Sequence, residues 1–177
     1  MKYFVLLVLS ILGITFWHSF RTPTAPSPSP EAQKNEVQKP AVTAAFLIYT
    51  NNIKRTFTAA RYHNQSDKVY LTADNPQFVH VTVDDVTWGD FFATLPMKVT
   101  RECLTTGTGE TYCTGTEGVL RFFINGEENP SALTEQIRSN DRLLVSYGLA
   151  TELDISHQIQ AVPYPAALDT PTPSVEE

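Results

Sequence analysis

The first forty residues of this chain have the layout of a membrane-targeting segment feeding a disordered tether. A short basic start, Met1-Lys2, leads into an almost unbroken apolar run from Tyr3 to Trp17. From Thr22 to Pro40 prolines recur, and no aromatic residue and no aliphatic one larger than Val37 occurs. The first segment (1–20) reads as a membrane anchor or signal segment. The second (21–42) reads as a Pro-rich disordered tether, because it cannot bury enough apolar surface to offset its ordering entropy. Pro26-Ser27-Pro28-Ser29-Pro30 within it favours extended polyproline geometry. What can fold is therefore confined to 43–163, with 164–177 read as a disordered tail. That stretch is one domain of ordinary size. It can bury roughly two thirds of its unfolded surface and needs no metal to fold.

Two fates are open for residues 1–20. The apolar run is nearer a signal-peptide core than a full span of about 20 residues. Against cleavage, Trp17-His18-Ser19-Phe20-Arg21 is bulky where a peptidase wants small side chains. Trp17 and Phe20 suit a membrane–water interface. These features favour a retained single-pass anchor, the alternative being secretion after cleavage. Lys2 favours a cytoplasmic N-terminus, and Arg21 and Lys34 pull the other way. The cysteines and the tether composition tip the folded part outside the cytoplasm. A net charge of −6 argues against nucleic acid as a partner, since that role needs clustered Lys and Arg.

Within 43–163 the pattern is mixed. Ala44–Tyr49 and Ile53–Thr58 read as strands around an Asn51-Asn52 turn. Lys68–Thr72 and Phe78–Val83 read as a second extended pair. Phe78, His80 and Thr82 share one face of the latter, and Val79, Val81 and Val83 the other. Thr87 with Asp90 is a capping-box pair, and Trp88, Phe91, Phe92 and Leu95 follow at helical spacing until Pro96. Val119–Ile124 is a strand, Asn125-Gly126 a tight turn, and Arg142–Tyr147 a final strand closed by Gly148. Residues 152–160 read as a short exposed helix. The order suggests α+β architecture, with one helix on a mixed sheet and the last strand returning after a crossover, a β-grasp-like arrangement.

Thr87-Trp88-Gly89-Asp90-Phe91-Phe92, Leu120–Gly126 and the Asn140-Asp141-Arg142 strand ending Tyr147-Gly148 resemble an uncharacterised family of small membrane-anchored or secreted prokaryotic domains. The ending, Asn125-Gly126 and then Asp141 to Gly148, is also similar to the soluble-ligand-binding β-grasp and cobalamin-carrier C-terminal modules. The resemblance implies a β-grasp-like fold and no particular activity. Members of the uncharacterised family often carry His-Thr-His-Asp before a His-Val strand, which suits a metal. Here Leu71-Thr72-Ala73-Asp74 stands in that place, followed by His80, so two imidazoles are missing.

Cys103 and Cys113, flanking a Thr/Gly-rich stretch in an exported domain, read as a disulfide-closed flexible loop. Thiol redox chemistry wants a closer pair beside a cation, and zinc wants closer spacing and further ligands. His63, Asp74 and His80 are the remaining metal candidates, for copper or zinc. Asp84-Asp85 and Glu127-Glu128 are sequence neighbours that point to opposite faces of a strand, so neither is an acid/base pair. No serine has a nucleophile-elbow setting, and Gly107 and Gly109 lack the helix and lysine of a phosphate loop. Nothing argues for an enzyme, and no cofactor is implied. The expected function is a membrane-tethered, extracytoplasmic binding or protein-interaction module for an unknown protein or small molecule. Metal handling or thiol redox is the alternative. The expected binding surface is Thr105, Thr106, Gly107, Thr108, Gly109, Glu110 and Tyr112, because loops on rigid scaffolds carry recognition.

Overall fold

Val42–Thr50 forms strand β1 and is buried on both faces. Its run of Ala44, Ala45, Phe46, Leu47 and Ile48 shows the continuous apolar pattern of a central strand rather than simple alternation. The computed structural model describes residues 42–165. The anchor expected at 1–20, the tether through residue 41 and the tail from residue 166 lie outside the described residues. Among the described residues no helix is long and apolar enough to cross a membrane.

The described residues are mixed α+β, with a main sheet and two helices. Asn51 and Asn52 both take positive φ (51° and 63°), the geometry of a tight hairpin turn, and lead into β2 (Ile53–Lys54). The strand expected to reach Thr58 ends there. After one further bond, from the Arg55 amide to the Ile48 carbonyl, the chain turns inward. Phe57 then packs 4.9 Å from the Phe46 ring, and Tyr62, in a 3₁₀ turn at Ala60–Tyr62, packs 5.1 Å from Phe57. Burying two aromatic rings outweighs extending a two-residue edge strand.

β3 (Val69–Tyr70) and β4 (Phe78–Val81) pair antiparallel, as the spacing suggests. Helix α1 (Trp88–Thr94) starts at the expected capping box. The Thr87 hydroxyl accepts from the Asp90 amide at 3.1 Å, and the Thr87 amide donates to the Asp90 carboxylate at 2.9 Å. Three short strands follow, β5 (Lys98–Val99), β6 (Cys103–Thr105) and β7 (Thr111–Cys113), which form a separate small antiparallel sheet. Then come β8 (Val119–Ile124), β9 (Glu127–Glu128), β10 (Arg142–Gly148) and helix α2 (Glu152–Ala161).

The main sheet runs β3-β4-β1-β10-β8-β9, with β2 also on β1. The first and last long strands lie side by side and parallel at its centre, in register from Ala45–Arg142 to Thr50–Tyr147. The other pairings are antiparallel. On one face Phe46, Ile48, Phe122, Leu143 and Val145 meet Trp88, Phe91 and Phe92 of α1, and Leu104 of the small sheet. On the other face Ala45, Leu47, Phe78, Phe123 and Leu144 meet Ile155 and Val162. The helix expected to be exposed is thus half-buried, because β1 and β10 present apolar residues on both faces and each needs a cover. α2 has its own capping box, Thr151 with Asp154.

Candidate functional site

The cysteine pair does not close a flexible loop. Cys103 and Cys113 form a disulfide between directly opposite residues of β6 and β7, with Cα atoms 4.1 Å apart. That matches the close spacing of a non-hydrogen-bonded cross-strand pair. Beyond it the strands continue through Leu104–Tyr112 and Thr105–Thr111 before the turn. The β-branched threonines that suggested a mobile loop are good strand formers, and their hydroxyls knit the hairpin together. Thr105 and Thr111 share a hydrogen bond at 3.0 Å, as do Thr106 and Thr108 at 2.8 Å. The Thr106 hydroxyl also accepts from the Glu110 amide at 3.2 Å. Gly109, at φ 92°, makes the reversal that other residues resist.

The hairpin is tied to the main sheet through Arg55. Its Nε donates to the Thr50 hydroxyl at 2.6 Å, Nη1 reaches the Glu110 carboxylate at 3.4 Å, and Nη2 donates to the Tyr112 hydroxyl. The Tyr112 ring in turn lies 5.2 Å from Tyr147 of β10. Gly107 rests directly on the Tyr62 hydroxyl and the Pro96 carbonyl. A Cβ there would come within 2.5 Å and 2.9 Å of them.

These contacts hold open a cleft of about 310 Å³ between the segment leaving β2, the Tyr62 turn and the hairpin tip. Its apolar floor is Ile48, Phe57, Met97 and Leu104. Its walls are Lys54, Arg55, Thr56, Thr58 and Arg61 on one side and Thr106, Gly107 and Thr108 on the other. The volume is at the lower end of the range for small-molecule sites, and an apolar floor with a few polar groups on the walls is their usual makeup.

Of the expected surface, Thr106, Gly107 and Thr108 line the cleft. Thr105, Gly109, Glu110 and Tyr112 stand behind them and shape the hairpin. Lys54, Arg55, Arg61, Tyr62 and Met97 were not expected from the sequence. The available signal was the Lys54-Arg55 pair just after the Asn-Asn turn, in a chain of net charge −6.

The histidine and aspartate candidates do not converge. The His63 Nε2 donates to the Phe57 carbonyl at 2.7 Å and so ties the Tyr62 turn to the segment leaving β2. Asp74 is exposed in the turn before β4. His80 lies on β4, its ring 5.4 Å from Tyr70. Its Nδ1 is buried without a hydrogen-bond partner among the described residues, and desolvation holds its pKa below the ordinary histidine value. No group of three or more His, Cys, Asp or Glu side chains placed to hold a metal occurs among the described residues.

No family model, curated protein or solved structure matches the chain.

Proposed function

We propose that this protein is a β-grasp-like binding module, held outside the cytoplasm by its N-terminal segment, that takes a ligand in the cleft beneath the disulfide hairpin. The β-grasp reading is supported by a parallel central pair of first and last strands, with a helix in the crossover between them. The observation that carries the binding reading is the cleft itself. A 310 Å³ space with a buried apolar floor is kept open by a cross-strand disulfide, an arginine bridge and a glycine that admits no side chain. Such pre-formed concavity lowers the ordering cost of binding. An apolar floor with threonines and cations around it is a lining suited to recognition.

A photo-crosslinking residue tests this. It is placed at Thr58 or Thr108 on the rim, and at Glu152 on the opposite side of the sheet as control, in the full chain in its native membranes. The proposal expects an adduct of defined mass from both rim positions and none from Glu152. Equal yields from all three would overturn it. For the location, a C-terminal tag should be cut by added protease in intact cells. Protection until the membrane is permeabilised would refute an extracytoplasmic domain.

A further inference from the structure

We infer that the cleft selects a ligand bearing an oxyanion (a carboxylate, phosphate ester or sulfate ester) on a compact apolar body. This rests on the binding reading above and specifies its chemistry. Lys54, Arg55 and Arg61 all line the cleft, and no carboxylate does. Three cations lining one cleft, with no carboxylate among its lining residues, are unexpected in a chain with 19 acidic and 13 basic residues. Among the described residues the ion pairs are Arg55–Glu110, Arg121–Glu128 and Arg121–Glu152. Arg55 is therefore engaged as a structural bridge, while Lys54 and Arg61 have no carboxylate partner there.

Arg61 has one guanidinium nitrogen on the Tyr62 hydroxyl at 3.2 Å, which steadies the side chain and leaves other N–H groups to donate. A guanidinium offers a planar fork that matches carboxylate, phosphate and sulfate oxygens, and an ammonium adds a compact positive charge beside it. The wall threonines add neutral donors. The floor below them, including Phe57 and Met97, is apolar and offers nothing to a second charge. A charged head on the wall and an uncharged body on the floor is the division of labour this lining dictates. The available volume limits the body to roughly the size of a single aromatic ring with a short linker.

Chemical-shift mapping on the isotopically labelled full chain in neutral detergent tests the inference. The probes are phenylacetate, phenyl phosphate, phenyl sulfate, the neutral analogue 2-phenylethanol, and inorganic phosphate alone. The expected result is movement of amides in residues 53–62 and 106–108. At least one aromatic anion should bind tenfold or more tighter than 2-phenylethanol, and its affinity should fall with added salt. Arg61→Gln with Lys54→Gln should remove that preference at unchanged melting temperature. Lys98→Gln, outside the cleft, should leave it intact. If 2-phenylethanol binds in the cleft as tightly as the anions, or the double variant keeps the preference, the oxyanion inference is wrong and the cleft reading stands. Inorganic phosphate binding as tightly as phenyl phosphate would refute the apolar body. If no probe moves these amides, the oxyanion inference falls, while the crosslinking result decides the cleft reading separately.

Discussion

Arg142, the first residue of β10, donates from Nη2 to the carbonyl of Val162 at 2.6 Å, just beyond the end of α2. The same nitrogen reaches the Ile159 carbonyl at 2.8 Å, and Nε adds a second bond to Val162 at 3.0 Å. A cation thus adds to the single amide bond that the Ile159 carbonyl accepts from Val162 at 3.2 Å, and caps the end of the helix where its dipole is negative. The Tyr164 ring lies 3.9 Å from the same guanidinium. Arg142→Met should cost about 2 kcal/mol, lowering Tm by about 5–10 °C. Hydrogen exchange should show α2 opening before the main sheet. Uniform loss of protection would mean that α2 is not held by this clasp.

Reduction of Cys103–Cys113, or replacement of both by serine, should remove about 2.5–3 kcal/mol by the chain-entropy estimate for a loop of this length. The loss should fall first on β6 and β7, because the bond joins these two strands directly. Amide shifts confined to residues 98–118 and the cleft would support this. A disturbance centred on β1 and β10 would not.

Gly107→Ala should narrow the cleft or lift its roof. The new methyl meets the Pro96 carbonyl, which is backbone and cannot swing aside. Probe affinity should fall tenfold or more. An unchanged affinity together with an unchanged Tm would show that the roof adjusts freely.

His80 carries a pH dependence of definite sign. Its pKa is lowered in the fold by burial, so the unfolded chain takes up the proton more readily. Stability should be full above the ordinary value of about 6.5 and decline as pH falls from there toward the depressed folded value. His80→Phe, which can keep the stack on Tyr70, should flatten this part of a urea-midpoint-against-pH profile. An unaltered slope would assign the effect elsewhere.

Asp90 governs a lower window. Hydrogen bonds from the Thr87 hydroxyl and amide hold its carboxyl below the usual carboxylate range. Its contribution is present above about pH 4 and is lost as pH falls through the folded value. Thr87→Ala should cost about 1 kcal/mol at neutral pH. Asp90→Asn should give a shallower acid limb, and a limb as steep as the parent's would exclude this carboxylate as its source.

Much of the framework was legible because it depends on local chemistry. Asn51-Asn52 and Asn125-Gly126 tolerate positive φ, Thr87 and Asp90 cap a helix, and Arg142–Tyr147 is a short apolar run bounded by Asn140-Asp141 and Gly148, as a strand is. The second layer was not legible. Glu152–Ala161 is weakly amphipathic, and its burial follows from Leu47, Phe123 and Leu144 facing it, a relation between distant segments. The cysteine hairpin misled for the opposite reason, since threonine and glycine suit both turns and short strands. The cleft was half visible. Thr106–Thr108 stood out by composition, whereas Lys54, Arg61 and Met97 come from three separate segments that only the tertiary fold assembles.

The pairing of β1 with β10 sets when the protein can exist at all. Ala45 and Arg142 are neighbours in space but nearly a hundred positions apart in sequence, so the nascent polypeptide must carry an incomplete core until Gly148 has left the ribosome. Before then Leu47 and Phe123 face water with no strand between them. The arrival of one late segment therefore converts an adhesive intermediate into the finished molecule, and any delay there is an opening for chaperones or for clumping.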